Sequence, residues 1–293
     1  MLKNLSLLSL VVAVWGSTWF AIKLQAEGGV PVEQSVSYRF LLAALCLLAW
    51  CAATRKPLRF AAGTHGRFVL LGLLQYSLNF VLFYRASSYM VSGLMSVVFA
   101  LAAGFNFVNA RLFLKRPIPP LNAVAALTGV IGLGIAFWPE IRGSSLDGTM
   151  AVGLALSVAA TLSFSFGNTL AAKLQTASVP VPVVSGAMWS MFYGSLWSLG
   201  FALVNGAPLR FDWHASYVGS LLYLAVMGSA VAFVSYLTLL GRIGPGRAAF
   251  ATLLFPLVAL AISAAFEHYS WNAWLVAGVA VVLLSNAAML VKR

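Results

Sequence analysis

Residues 15–25 read WGSTWFAIKLQ and residues 165–175 read SFGNTLAAKLQ, so two apolar segments end in the same Lys-Leu-Gln. Each segment belongs to an apolar run of the roughly 20 residues that a helix needs to cross a bilayer. The pair therefore indicates membrane-spanning helices and an internal repeat.

The composition extends this interpretation to the whole chain. Of the 293 residues, 61% are hydrophobic and 8% are charged, whereas a soluble domain carries about 25% charged residues. Reading from charge to charge gives ten long apolar stretches, most of them long enough to span a bilayer. We predict an all-α membrane protein with about ten transmembrane helices.

The net charge of +12 is distributed unequally between the two sides of such a bundle. If the N-terminus is cytoplasmic and the chain crosses ten times, thirteen of the Lys and Arg residues face the cytoplasm and five face outward. All six acidic residues also fall on the outer side. This asymmetry follows the positive-inside rule, so it predicts that both termini are cytoplasmic and argues against a nucleic-acid partner.

The repeat predicts how the two halves are oriented. A polar loop, EIRGSSLDG at 140–148, leaves five spans on each side, which divides the chain into repeats at 1–143 and 144–293. Because five is odd, the second repeat enters the membrane upside down, with Lys23 at an outer helix end and Lys173 at an inner one. Inverted repeats are common in secondary transporters, whose substrate site lies near the midplane.

Several segments carry a family resemblance. These are WGSTWFAIKL (15–24), RFLLAALCLL (39–48), YRASSYMVSGLMS (84–96) and GPGRAAFATLLFPLVALAIS (244–263), followed by Glu267. Together they resemble the drug/metabolite transporter superfamily, and most closely its EamA branch. The resemblance implies ten helices, a central cavity lined by spans one to four and six to nine, and a bacterial inner-membrane exporter of amino acids, other small metabolites or drugs.

The first half departs from the family pattern. Where the family has a proline in span four and a Leu-Gly-Glu ending, this chain has Ala-Ala-Gly at 102–104 and Leu114-Lys115. The second half keeps Pro256 and Glu267. The resemblance therefore does not extend to a mechanism that rests on two equivalent glutamates.

Arg39 is the one full charge clearly inside a span. A charge there is costly and by default functional, and a cavity-facing arginine would pair with a carboxylate. The sequence leaves open a second interpretation, in which the side chain reaches the nearby interface.

Polar and aromatic residues within the spans complete the set of candidate substrate-binding residues. The full set is Trp15, Trp19, Arg39, Gln75, Tyr76, Asn79, Asn106, Ser163, Ser165, Asn168, Trp189 and Tyr236. Amides and hydroxyls in a membrane either line a wet cavity or bond between helices, and the sequence alone does not decide between these roles.

Charges near the helix ends also have two interpretations. Lys23 and Lys173 can anchor their helices in the headgroup region or make gate contacts that break and form. Arg85 and Glu267, both near the outer face, can anchor their helices or form a gate ion pair. The glycines of GVIGLGIA (129–136) permit close helix contact, either within the monomer or at a homodimer seam through spans five and ten.

Residues required for catalysis are missing from the predicted spans. No Asp or Glu lies mid-membrane, and neither a metal-like cluster nor a GxxxxGK[ST] loop is present. We predict no enzyme activity, no metal, no cofactor, and export or exchange without tight proton coupling. The preferred function is export of amino acids or related metabolites by alternating access. Efflux of organic cations, or a non-transport role in handling lipids, remains as an alternative.

Overall fold

The computed structural model describes residues 2–115, 120–139, 148–175, 181–236, 238–239 and 250–291. Within these residues the chain forms ten long helices and no strands. They are α1 (Leu2–Ala26), α2 (Val32–Ala53), α3 (Ala62–Ala86), α4 (Ser92–Phe99 and Ala102–Leu114), α5 (Pro120–Ala136), α6 (Gly148–Gln175), α7 (Val183–Val204), α8 (Ala215–Tyr236), α9 (Phe250–Phe266) and α10 (Ala273–Val291).

The lengths of these helices confirm the multi-pass prediction. Helices α1 to α4 and α6 to α8 each have 22 to 27 residues that are apolar enough to cross a membrane. Helices α5, α9 and α10 contribute shorter apolar segments. A helix satisfies its own backbone hydrogen bonds, which is why apolar runs of this length adopt it in lipid.

The packing partners show that the two halves are inverted copies. Helix α1 packs against α9 while α6 packs against α4, and α2 packs against α8 while α7 packs against α3. The pairs α2 with α7, α5 with α10 and α3 with α6 pack most extensively. Exchanging the halves reproduces this pattern, as a pseudo-twofold relationship requires. The predicted boundary between residues 143 and 144 lies outside the described residues.

Irregular backbone recurs at equivalent places in the two halves. Helix α3 contains a π-helical segment at Gly72–Leu78, and α8 contains one at Tyr223–Val231. Helix α4 is interrupted at Ala100 and Leu101, while its counterpart α9 contains Pro256. Such interruptions are often found at functional sites.

Small residues bring several helix pairs into close contact. A β-carbon at Gly72 would lie 2.7 Å from the backbone of Gly194 in α7. A β-carbon at Gly278 would lie 2.3 Å from Ala136 N, where α10 meets α5. Gly132 of the predicted glycine motif also faces α10. These glycines therefore serve packing within the monomer, while a homodimer through α5 and α10 stays a prediction.

The two ends of the bundle are marked by Glu267 and Lys173. The Glu267 end holds the last turn of α1 and the start of α4, since Glu267 contacts Lys23 and Ser92 there. The Lys173 end holds the start of α7, where Trp189 Nε1 donates to Leu58 O at 3.0 Å. Two large buried apolar clusters fill most of the bundle, and Trp15 packs against both.

Candidate functional site

A central cavity, here called the vestibule, occupies the half of the bundle toward the Lys173 end. Its volume is about 320 Å³, which suits a small ligand. Its lining runs from Trp15 to Leu174 and Val183, at the end of α6 and the start of α7. Gln75, Tyr76, Asn106, Asn168 and Tyr236 also line it.

A second cavity, here called the deep cavity, lies nearer the Glu267 end. It measures about 60 Å³ and is lined mainly by aromatic rings. Four rings border both cavities and form what we call the aromatic layer: Trp15, Phe99, Phe164 and Phe233. Trp19 packs edge-on against Phe83 behind this layer, with ring centroids 4.9 Å apart.

Arg39 supplies the positive charge of the deep cavity. It is 2% exposed, so the structure places it inside the bundle and not in the interface. Its Nε donates to Ser229 Oγ at 3.1 Å, and its Cζ lies 4.4 Å from the Phe80 ring centroid. The Nη1 atom has no hydrogen-bond partner among the described residues. A buried charge of this kind favours a ligand of opposite sign.

Asn79 adds a second unpartnered group to the same cavity. This residue is 1% exposed, and its Oδ1 accepts no hydrogen bond from the part of the chain that is described. It comes from α3, one turn after Gln75 and directly after the π-helical segment. The deep cavity thus combines one free donor of positive charge with one free carbonyl acceptor.

The polar residues beside the vestibule form one connected network, here called the amide cluster. Its members are Gln75, Asn106, Asn109, Ser165 and Asn168. Gln75 Nε2 donates to Asn168 Oδ1 at 2.9 Å, and Asn109 Nδ2 donates to Ser165 Oγ at 2.8 Å. Asn106 Oδ1 accepts from Ser165 Oγ at 2.8 Å and from Asn168 Nδ2 at 3.4 Å. The cluster therefore joins α3, α4 and α6, and three of its members line the vestibule.

Two helix carbonyls in the π-helical segments accept hydrogen bonds from other helices. Trp15 Nε1 donates to Gly228 O at 3.3 Å, and Ser163 Oγ donates to Leu74 O at 2.7 Å. A β-carbon at Gly228 would lie 2.7 Å from Thr18 Cγ2. Bonds of this kind satisfy carbonyls that an irregular helix leaves exposed.

Nine of the twelve candidate residues line one of the two cavities, and three do not. Ser163 bonds to the α3 backbone, and Ser165 is fully buried within the amide cluster. Trp189 packs near the Lys173 end, where its ring centroid lies 4.7 Å from that of His65 and its Nε1 donates to Leu58 O. The structure therefore assigns these three residues interhelical contacts.

The charged groups at the Glu267 end pair differently from the gate pair that the sequence suggests. Lys23 Nζ lies 2.7 Å from Glu267 Oε1, and Arg85 forms its ion pair with Glu33. The interpretation of Arg85 and Glu267 as a gate ion pair is therefore wrong. Of the two observed pairs, only Lys23–Glu267 joins the two repeats, and the vestibule reaches the opposite end.

Burial of the Glu267 carboxyl opposes its ionisation. Hydrogen bonds from Lys23 and from the backbone and side chain of Ser92 outweigh this effect and hold the pKa of Glu267 below its ordinary value. Glu267 directly follows the last turn of α9, and its lowered pKa keeps the carboxyl ionised at neutral pH.

Sequence reasoning missed the phenylalanines of the aromatic layer and also Ser229. Phenylalanine is common throughout the apolar helices, so no local pattern singles out Phe99 or Phe233. The internal repeat could have indicated Ser229, because a serine, Ser77, also lies in the equivalent π-helical segment of the first repeat. Ser77 Oγ bonds to Ser198 Oγ of α7 at 2.8 Å, as Ser229 bonds to Arg39 of α2.

The geometry agrees with the comparisons to known proteins. The EamA-like transporter family model matches residues 2–138 and 151–291. The chain is 27% identical over 286 residues to the uncharacterized inner membrane transporter YedA of Escherichia coli K12, covering 93% of this chain and 87% of the relative. It is 26% identical over 263 residues to a probable amino-acid metabolite efflux pump of the same strain, covering 87% and 84%.

A solved structure supports the fold. One crystal structure of another protein superposes with a TM-score of 0.68 at 14% identity, covering 97% of this chain and 95% of the other. With matches in both halves of the sequence, the chain belongs to the EamA-like transporter family.

Proposed function

We propose that the protein exports small metabolites, chiefly amino acids or related zwitterions, by alternating access. The observation that carries this proposal is the pair of unpartnered buried groups in the deep cavity, Arg39 Nη1 and Asn79 Oδ1. A zwitterion presents a carboxylate for the guanidinium and an ammonium for the amide oxygen. Binding both would satisfy two groups that are otherwise costly to bury.

The vestibule supports entry from the Lys173 end. Its 320 Å³ volume accommodates a small metabolite, and the amide cluster offers hydrogen-bond partners along the way. The aromatic layer then separates the vestibule from Arg39. Movement of Trp15 and its neighbours would admit the substrate to the deep cavity.

Orientation in the membrane follows from charge. Thirteen of the chain's cations belong to helix ends and connections at the Lys173 end by sequence, which the positive-inside rule assigns to the cytoplasm. Both termini are then cytoplasmic, and the Glu267 end faces outward. One relative is described as an inner membrane transporter, and we propose the bacterial inner membrane for this chain also.

Efflux of organic cations is the second candidate. The free charge of the deep cavity argues against it, because Arg39 repels a cation. We propose a small-molecule substrate and the surrounding lipids as partners, without nucleic acid, and a monomer or a homodimer through α5 and α10.

Counterflow into liposomes tests the proposal. Purified protein is reconstituted in liposomes loaded with one unlabelled compound, and uptake of a labelled panel is followed. We expect accumulation of amino acids and none of lipophilic cations. Accumulation of cations alone would replace the proposal with the second candidate, and no accumulation of any metabolite would favour a lipid-handling role.

A further inference from the structure

The junction around Glu267 joins three helices through one carboxylate. Glu267 accepts from Lys23 Nζ of α1 at 2.7 Å and from the backbone N of Ser92, at the start of α4, at 3.1 Å. Ser92 Oγ donates to the same carboxylate. The Glu267 side chain is 3% exposed. A carboxylate this buried depends on its partners, since removing one leaves a charge that is costly to bury.

The inverted repeat places an equivalent position at the other end of the bundle. Helix α4 ends at Lys115 in the left-handed conformation, with φ of 54°, and α9 is followed by His268 with the same φ. Glu267 directly precedes His268, so its counterpart directly precedes Lys115 and is Leu114. The carboxylate therefore has no counterpart in the first repeat.

The lysines, by contrast, are repeated. Lys173 matches Lys23 in the shared Lys-Leu-Gln. Lys173 is exposed and makes no ion pair with any residue that the structure describes. The sequence also places no Asp or Glu in any segment that joins helices at the Lys173 end. The two ends consequently have different chemistry for closure.

We infer that Lys23, Glu267 and Ser92 form an ionic lock that closes the Glu267 end only. The inference rests on the proposed transport function, since a gate has meaning only for alternating access. Breaking the lock favours the outward-open state, whereas no equivalent pair must break at the Lys173 end. The charge of Glu267 thus sets the balance between the two states.

Few other titratable groups lie near the junction among the residues that the structure describes. Lys23 is the cation that faces the Glu267 carboxylate from α1, and Glu27 lies exposed one turn further along. Helix α4 presents Ser92, which is not ionisable at neutral pH. Arg85 and Glu33 pair with each other, and His268 and Tyr269 follow Glu267 in the chain.

Accessibility of the deep cavity tests the inference without measuring transport. Thr18 lines this cavity. The Thr18→Cys variant is made with the two native cysteines replaced, Cys46→Ala and Cys51→Ser, and is treated with a small membrane-impermeant thiol reagent. Intact cells and inverted vesicles are both labelled. A separate Ser270→Cys variant, at an exposed site beside Glu267, identifies which preparation presents the Glu267 end.

We expect Lys23→Met to raise labelling of Thr18→Cys from the Glu267 end by about tenfold, as loss of a modest two-state bias would. Lys23→Arg, which keeps the positive charge, should stay near the parent rate. Lys173→Met is the matched control and should also label at the parent rate. Thermal unfolding checks that each variant is folded.

A Lys23→Met rate equal to the parent rate would overturn the lock, and so would an equal rise in Lys173→Met. A folded Lys23→Arg variant that labels as fast as Lys23→Met would show that charge is not what closes the gate. Because labelling needs no substrate, these results stand apart from counterflow. An intact lock in a protein that moves no metabolite would refute only the proposed function.

Discussion

Arg39 of α2 donates from Nε to Ser229 Oγ at 3.1 Å, and Ser229 lies within the π-helical segment of α8. The one buried cation of the deep cavity is therefore held by an irregular helix from the opposite repeat. A ligand on Arg39 would act on the packing of both repeats at once. This contact connects recognition to conformational change.

Ser229→Ala should weaken substrate recognition without abolishing it. The variant loses one hydrogen bond to a charged group, a contribution of about 1.5–3 kcal/mol, but leaves the guanidinium in place. We expect the substrate concentration for half-maximal counterflow to rise by about tenfold, the lower end of that range. Ser77→Ala in the other π-helical segment, which bonds to Ser198 and not to Arg39, is the control and should leave that concentration unchanged.

Asn79→Leu should separate zwitterions from simple carboxylates. The substitution keeps the approximate volume of the side chain and removes the unpartnered carbonyl of a residue that lines the deep cavity. We expect an unlabelled amino acid to compete about tenfold less well with the labelled substrate in counterflow, as loss of one hydrogen bond to a charged group predicts. Competition by the matching carboxylic acid without the amino group should be unchanged, and an equal fall for both compounds would contradict the assigned role.

Gly194→Ala should destabilise the fold. A β-carbon there would lie 2.7 Å from Tyr76 Cβ and 3.0 Å from Gly72 O, and overpacking of this kind costs about 1–3 kcal/mol. Gly200→Ala in the same helix has open space around it. We expect a lower melting temperature in detergent for Gly194→Ala only. Equal melting temperatures for the two variants would show that α3 and α7 tolerate separation.

Acidification at the Glu267 end should open that end. Its partners hold the pKa of Glu267 below the ordinary value in the closed state, so ionised Glu267 stabilises closure above about pH 4.3, the usual glutamate pKa. This stabilisation is lost as the pH falls through the lowered pKa. The readout is the labelling rate of Thr18→Cys divided by the rate of the same protein with Glu267→Gln at each pH, which cancels the pH dependence of the thiol.

The ratio should lie well below one near pH 7 and approach one on acidification. Glu33→Gln controls for the other ion pair at this end, since Glu33 binds Arg85, and should leave the approach to one intact. A constant ratio, or a response that Glu33→Gln removes, would assign the titration elsewhere.

Much of the fold was predictable because it depends on features that apolar length and charge reveal. The shared Lys-Leu-Gln of 15–25 and 165–175 identified equivalent helices, and the packing of α1 on α9 and α6 on α4 confirmed their inverted relationship. Arg39 was predictable as a candidate because a charge inside an apolar span is rare.

The details of the site depended on three-dimensional partners that spacing does not encode. Ser163 and Asn168 lie on the same helix, yet one bonds to the α3 backbone and the other lines the vestibule. Lys23 forms an ion pair with Glu267, and Arg85 forms one with Glu33, because the packed bundle brings these helix ends together. The aromatic layer draws one ring from each of four helices, so no segment reveals it.

The most direct test of the central claim is counterflow by wild-type protein and Arg39→Gln with an amino acid and its methyl ester. If the Arg39 guanidinium binds the substrate carboxylate, the wild type exchanges the amino acid far better than the ester. In Arg39→Gln, exchange of the amino acid should fall by about 100-fold, as loss of a bidentate charged contact predicts. Exchange of the ester should change little. Equal exchange of the amino acid by both proteins would contradict the account.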